Sequence, residues 1–94
     1  MTNAEIAAVF DDIAEMLRLK KDNIFKIRAY QKVARGIAEL REPVARLVAE
    51  KRLDEIPGVG EAINKKITEL ATTGRLDYHE RLKAEFPERT RGVA

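Results

Sequence analysis

The chain contains no cysteine and no tryptophan, and it has one histidine, three prolines, three phenylalanines and two tyrosines. Without cysteine there are no disulfides and no thiol catalysis, which fits a reducing compartment. A single histidine, His79, argues against a zinc site. No apolar run approaches the about 20 residues of a membrane span, and the N-terminus lacks the basic and apolar regions of a signal peptide. We therefore expect a cytoplasmic protein without membrane contact.

Length and composition favour one small helical domain. The 94 residues are too few for a polymerase, nuclease or kinase catalytic domain, so any catalysis would need a compact site. Alanine, leucine, isoleucine, glutamate, lysine and arginine dominate, and no segment alternates like a strand. The 18 basic residues nearly balance the 16 acidic ones, so a case for nucleic-acid binding depends on where the charges lie.

Hydrophobic periodicity predicts an all-α fold of four to five helices in a single domain, residues 1–94. The predicted helices cover, in chain order, residues 2–19, 24–40, 43–52, 61–72 and 77–84. The residues expected at helix ends are Thr2 with Glu5, Asp22 or Asn23, Pro43, Gly74 and Asp77. Residues 87–94 have little to bury and are expected to fray.

The segment LDEIPGVGEAINKKI, residues 53–67, predicts a helix-hairpin-helix element spanning about residues 44–72. Gly58 and Gly60 can adopt positive φ angles, and they lack side chains that would keep a phosphate away. The backbone N–H groups near Gly58, Val59, Gly60 and Ala62 could then bind phosphate, helped by the N-terminus of the following helix. Ile56 and Val59 are the expected buried anchors. The alternative is an ordinary tight turn between two helices.

Three segments together resemble a known family. KKDNIFKIRAYQKVA at residues 20–34, LDEIPGVGEAINKKI at 53–67 and LATTGRL at 70–76 resemble the N-terminal domain of family X DNA polymerases, whose relatives include the lyase domain of DNA polymerase beta. The likeness covers about residues 4–86, and the bacterial and archaeal branch looks closest. It implies a helical domain that binds gapped or nicked duplex DNA through the 5′ phosphate in repair, without a required cofactor. A nucleoid-associated location and other repair proteins as partners follow from the same resemblance.

The resemblance also implies roles for individual residues. Lys66 matches the lysine that forms an imine with 5′-deoxyribose phosphate, and Lys26 and Tyr30 match the phosphate pocket. Phe25 stands where the family can stack an aromatic ring on a base. The backbone carbonyls of the hairpin can hold a monovalent cation, Na⁺ or K⁺, and the matching residues are Asp54, Ile56 and Val59.

Several positions depart from the family pattern. Asp54 and Ala62 replace phosphate-binding lysines, and Lys65 replaces the acidic neighbour of the nucleophile. Tyr78 stands where the family can carry another lysine, and Asn64 replaces a small residue. These changes weaken the case for catalysis more than the case for binding, because the hairpin binds through its backbone.

Charge on the helices adds further candidates, each with an alternative. Arg28 and Lys32, with Arg35, form a basic stripe that is equally an ordinary solvated face. Lys65 and Lys66 lie on the helix after the hairpin, where Lys66 projects at the edge of the buried stripe. Lys66 is either a partly desolvated nucleophile or a lysine whose stem covers apolar surface while its charge meets phosphate. Tyr30 is either a phosphate ligand or a core tyrosine.

Three functions remain open from sequence. The first is sequence-nonspecific DNA binding through phosphates, as part of a family X polymerase or as a standalone relative. The second is a lyase that acts on abasic or 5′-deoxyribose phosphate sites through Lys66. The third is a helical scaffold that binds proteins and has no DNA role.

Overall fold

Residues 1–86 are described by a computed structural model, in which they form an all-α fold. The elements are five α-helices and one short 3₁₀ turn, and this part of the chain contains no strand. Their bounds are α1 Asn3–Leu19, α2 Ile24–Ala38, α3 Val44–Ala49, the 3₁₀ turn Leu53–Glu55, α4 Glu61–Thr73 and α5 Asp77–Ala84. The predicted fold class is confirmed. The predicted fraying of residues 87–94 lies outside the described residues.

The predicted helix ends are largely those observed. The Thr2 hydroxyl accepts from the Glu5 amide at 3.1 Å, and the Glu5 carboxylate accepts from the Thr2 amide at 2.7 Å, which completes a capping box. Asn23 caps α2 through the Phe25 amide at 2.7 Å. Gly74 ends α4 in the left-handed conformation at φ 78°.

Other ends differ from prediction. Pro43 is the cap of α3 and not part of its first turn, and the Asn3 side chain of α1 takes over the capping by accepting from the Val44 amide at 2.9 Å. Asp77 is the first residue of α5 and does not cap it, because Leu76 occupies the N-cap position. The Asp77 amide donates instead to the Glu69 carboxylate at 2.8 Å. The 3₁₀ turn that leads into the hairpin was not predicted, and α2 ends at Ala38, before the predicted Leu40.

The core lies between α1 and α2, and the other helices close over it. Its largest fully buried members from these two helices are Ile6, Phe10, Ile13, Met16, Leu17, Val33 and Ile37. Leu47, Ile56, Ile67, Leu70 and Leu76 bring α3, the hairpin and α4 onto the same core. Of the two predicted hairpin anchors, Ile56 is buried and Val59 is only partly buried. No helix in residues 1–86 is long and apolar enough to span a membrane.

Three stacked rings run outward from the core, and we call them the aromatic column. Phe10 of α1 stacks on Tyr30 of α2 with centroids 6.1 Å apart, and Tyr30 stacks on Tyr78 of α5 at the same 6.1 Å. A 2.8 Å contact between His79 Nε2 and Asp12 Oδ2 also fastens α5 to α1. The column and this contact fix the position of Tyr78 at the surface.

Four charged side chains, the arginine cluster, fasten the start of the hairpin. The Arg52 guanidinium donates to Glu42 at 2.8 Å, to Glu50 at 2.5 Å and to Glu55 at 2.9 Å. Glu42 precedes α3, Glu50 follows it, and Glu55 ends the 3₁₀ turn. The cluster therefore joins three backbone segments around one planar cation, which suits the fork geometry of arginine.

The arginine cluster makes stability depend on pH. Hydrogen bonds from Arg52 hold the pKa of the Glu42 carboxyl and the pKa of the Glu55 carboxyl below their usual values. Since the folded-state pKa is the lower one, this stabilisation is fully present above about pH 4.3, the ordinary glutamate value. It is lost as the pH falls through the folded-state values.

We expect Arg52→Gln to lower the melting temperature at about neutral pH, because the three carboxylates then lose their cationic partner. The melting temperature of the variant should also fall less steeply on acidification, since protonation of those carboxylates no longer breaks an ion pair. Thermal unfolding followed by circular dichroism, from about neutral pH to below about pH 4.3, measures both effects. Arg46→Gln is the matched control, since Arg46 lies 3.6 Å from Glu42 and Glu50 but is largely exposed. Parallel curves for wild type and Arg52→Gln would contradict the prediction.

Candidate nucleic-acid interface

The hairpin between α3 and α4 turns sharply at residues 56–59. The Val59 amide donates to the Ile56 carbonyl at 3.2 Å, Pro57 occupies the second position and Gly58 has φ 88° at the third. These are the features of a type II β-turn, which requires a positive φ at the position of Gly58. The turn geometry therefore accounts for Pro57 and Gly58.

Gly60 serves a different purpose from the one predicted. Its φ is −97° and its ψ is −173°, so the prediction of a positive φ is wrong for this residue, which is the extended N-cap of α4. A Cβ built on Gly60 meets no atom within 4 Å. Gly60 thus leaves open space in front of the helix N-terminus.

Unpaired amides surround that open space. The first helical hydrogen bond of α4 runs from the Asn64 amide to the Gly60 carbonyl at 2.8 Å. Within residues 1–86 the amides of Gly58, Gly60, Glu61 and Ala62 donate to no backbone or side-chain acceptor, and α4 has no side-chain cap. N–H groups at a helix N-terminus together with its dipole favour an anion.

Two of the carbonyls predicted to hold a monovalent cation, those of Ile56 and Val59, belong to the hairpin turn, and the third, that of Asp54, lies in the preceding 3₁₀ turn. The Ile56 carbonyl already accepts from Val59, and each carbonyl has a second lone pair for another partner. Residues 1–86 contain no cluster of three or more acidic or histidine side chains that could hold a metal ion. The site at Asp54, Ile56 and Val59 stays a prediction.

Helix α2 supports the hairpin by close approach. A Cβ built on Gly36 would lie 2.9 Å from Ile56 Cγ2 and 3.6 Å from Pro57 Cδ, so only glycine lets the turn sit this near the helix. One turn earlier on α2, the stem of Lys32 packs on Gly58, 3.2 Å from a Cβ built there. The structure therefore brings Lys32 of the basic stripe to the hairpin.

A hollow of about 520 Å³ separates the first turns of α4 from α5, and we call it the α4–α5 hollow. It begins beside Ala62 and ends at Tyr78 and Arg81. Most of its charged lining is already engaged. Glu61 pairs with Lys65 at 3.7 Å, and Asp77 pairs with Arg81 at 3.0 Å.

The cations that line this hollow are Lys65, Lys66 and Arg81. Lys65 and Arg81 form the ion pairs just described, whereas Lys66 forms none within residues 1–86. Its Nζ lies 4.9 Å from the centroid of the Tyr78 ring, within cation–π range. Lys26 Nζ, from the start of α2, lies 5.7 Å from the same ring. The predicted lysines Lys26 and Lys66, 40 positions apart, thus meet at Tyr78.

Tyr30 was predicted to be either a phosphate ligand or a core tyrosine, and the structure shows it in the core. Its side chain is 5% exposed and lies between the rings of Phe10 and Tyr78. Burial, with a contribution from the Tyr78 hydroxyl, raises the pKa of the Tyr30 hydroxyl above its ordinary value. Tyr30 is therefore neutral and supports the ring on which the lysines rest, and a direct contact with phosphate stays a prediction.

Other predicted residues lie around the site without joining it. Phe25 is 74% exposed at the first turn of α2, which leaves its ring free for the predicted stacking on a base. Arg28 is exposed on α2 and does not line the α4–α5 hollow. Arg52, near the hairpin in sequence, is held by three carboxylates.

Sequence reasoning missed two features of the site. Tyr78 was noted only as a departure from the family, and Gly36 was not noted at all. A glycine inside a predicted helix signals a close approach, and Gly36 could have been found in that way. Nothing local marks Tyr78, since its neighbours come from α2 and α4.

The geometry defines a class of element: a helical hairpin that presents unpaired backbone amides at a helix N-terminus, as phosphate-binding elements do. The chain belongs to the helix-hairpin-helix domain family, which matches residues 1–76. Domains of this family generally bind DNA, so nucleic acid is the indicated partner. No curated protein matches the chain. The likeness to family X polymerases stays a prediction.

The two hairpin glycines should respond oppositely to substitution. Gly58→Ala forces a side chain into a positive φ and against Lys32, so we expect it to destabilise the fold by about 1 kcal/mol or more. Gly60→Ser adds an N-cap hydroxyl in open space and should not destabilise it. Urea unfolding of both variants measures the difference, and equal loss of stability in both would contradict it.

Proposed function

We propose that this domain binds DNA through its phosphate backbone without reading base sequence, and that it recognises the 5′ phosphate at a gap or nick. The observation that carries the proposal is the continuity between the unpaired amides of α4 and the Lys66 side of the α4–α5 hollow. Ala62, in the first turn of α4, lines the same hollow as Lys66. One terminal phosphate could therefore meet backbone donors and an ammonium together.

Backbone donors and ammonium groups explain why base sequence would not matter. Contacts to phosphate fix position and carry no direct base information. Lys32 beside Gly58 and the exposed Arg28 extend positive charge along α2 for neighbouring phosphates. A Na⁺ or K⁺ ion at the hairpin carbonyls would add to the same backbone contact. We further propose, from the resemblance of residues 20–34, 53–67 and 70–76, that the domain is the N-terminal domain of a family X polymerase or a standalone relative.

The direct test is a binding titration with a one-nucleotide gapped duplex, with and without its 5′ phosphate, at two salt concentrations. We expect tighter binding to the phosphorylated gap, with affinity falling by a log–log slope of about −0.9 per phosphate neutralised. Lys66→Gln should reduce the slope by about one. Arg18→Gln is the control, because Arg18 is ion-paired with Glu15 on α1.

The hairpin itself is tested by Gly60→Asp against Gly60→Asn. Both residues cap helices well and fit the open space, so they differ mainly in charge. We expect the carboxylate to weaken binding more than the amide does, because it repels phosphate.

The titration of wild-type protein also has two contrary outcomes. Equal binding of the phosphorylated and unphosphorylated gaps would reduce the function to generic backbone binding. Binding to neither duplex would favour the protein scaffold.

A lyase activity is the second candidate, and one observation favours it. Lys66 lies half-buried at the α4–α5 hollow without an ion pair inside residues 1–86, so its amine is accessible to a sugar aldehyde. An imine forms when this amine adds to the aldehyde carbon and water leaves. Loss of a proton from the adjacent C2′ carbon to solvent then drives β-elimination, in which the C3′–O bond breaks and the phosphate leaves. Water finally hydrolyses the imine and restores the lysine.

If Lys66 is the nucleophile, borohydride will trap wild-type protein on a duplex with an abasic site, and Lys66→Ala will not be trapped. Lys65→Ala is the matched control, because Lys65 neighbours Lys66 but pairs with Glu61 in solvent. Denaturing gel electrophoresis of the trapped complex measures both. Equal trapping of wild type and Lys66→Ala would rule out this nucleophile.

A further inference from the structure

Two lysines, Lys26 and Lys66, both contact the ring of Tyr78. Lys26 and Lys66 come from α2 and α4, and two like charges brought together would repel unless something held them. A carboxylate would hold them but would also cancel their charge. No carboxylate forms an ion pair with either ammonium in residues 1–86, and the Nζ atoms of Lys26 and Lys66 lie 5.7 and 4.9 Å from the centroid of the same Tyr78 ring.

We propose that Tyr78 is a positioning residue, whose ring holds the Lys26 and Lys66 ammonium groups for a terminal phosphate while leaving both charges uncompensated. The attraction comes from the ring quadrupole, which carries no net charge. The two cations therefore keep their full charge for a phosphomonoester, which bears more negative charge than a backbone diester. This inference rests on the proposed recognition of a 5′ phosphate and names what builds that site.

The surroundings of Tyr78 support a fixed platform. Its inner face stacks on Tyr30, and Tyr30 stacks on the fully buried Phe10, so the ring is backed by the core. The next residue of α5, His79, is fastened to Asp12 of α1. The nearest cation on α5, Arg81, is occupied by Asp77 at 3.0 Å.

Tyr78 also lines a second hollow of about 300 Å³ together with Lys26. The two carboxylates of that hollow have other partners, since Glu85 pairs with Lys20 at 2.8 Å and Asp22 accepts from the Asn23 amide at 2.6 Å. Lys66 lines the first hollow and Lys26 the second, and Tyr78 belongs to both. A phosphate that contacts both ammonium groups would therefore lie beside Tyr78.

The test compares Tyr78→Leu with Tyr78→Phe in the full chain. Leucine keeps apolar volume without a ring, and phenylalanine keeps the ring without the hydroxyl. The first measurement is proton NMR of the free protein, in which ring currents should shift the Cε protons of Lys26 and Lys66 upfield. We expect this shift in wild type and Tyr78→Phe and its loss in Tyr78→Leu, with helical circular dichroism unchanged.

The second measurement is binding of the one-nucleotide gapped duplex with and without its 5′ phosphate. Loss of two exposed cation–π contacts should weaken binding of the phosphorylated gap by about five- to tenfold in Tyr78→Leu, and Tyr78→Phe should restore it. Binding of the unphosphorylated gap should change less. Trifluorophenylalanine at this position keeps the shape and weakens the quadrupole, so its affinity should fall between those of the two variants.

Unshifted lysine protons in the free wild-type protein would overturn the role of Tyr78 and leave the proposed function standing. A Tyr78→Leu variant that still prefers the phosphorylated gap as strongly as wild type would do the same. A trifluorophenylalanine variant equal to Tyr78→Phe would also overturn the role of Tyr78, because shape would then be sufficient. If wild type binds both duplexes equally while its lysine protons are shifted, the proposed 5′ phosphate recognition fails instead, and the phosphate site inferred here fails with it.

Discussion

The placement of the hairpin depends on one contact, that of Ile56 with Gly36. Ile56 is 1% exposed and is the buried side chain at the start of the turn. It fits only because α2 has no side chain at position 36, where a Cβ would lie 2.9 Å from its methyl group. Packing this tight leaves no room for sliding. The amides of α4 and the lysines of α2 therefore keep a fixed relation to each other.

The distribution of ion pairs determines where the domain carries uncompensated positive charge. A net charge of +2 would not attract DNA on its own account, yet several carboxylates of residues 1–86 are matched to particular cations. Glu42, Glu50 and Glu55 share Arg52, Glu61 pairs with Lys65 and Asp77 pairs with Arg81. Within these residues Lys26 and Lys66, both near Tyr78, have no ion pair. A nearly neutral domain can thus carry a local cationic site, and its overall charge says little about it.

The sequence predicted the parts of this fold that local chemistry decides. Caps such as Thr2 with Glu5 and the left-handed Gly74 were readable because their partners are a few residues away. The turn at Gly58 was readable for the same reason. The positive φ predicted for Gly60 was wrong, because a glycine can also stand where the backbone is extended and the space beside it is open. The sequence alone does not distinguish these two environments. Tyr78 escaped because tertiary packing alone brings Lys26 and Lys66 to it.

The aromatic column has a practical consequence for spectroscopy. The chain has two tyrosines and no tryptophan, and both tyrosines belong to the column. Tyrosine absorbance, fluorescence and near-ultraviolet dichroism therefore arise from a single place, the pair of rings beneath Lys26 and Lys66. The protein carries its own optical reporter at the candidate site, with no label attached and no second chromophore of that kind to confuse the signal.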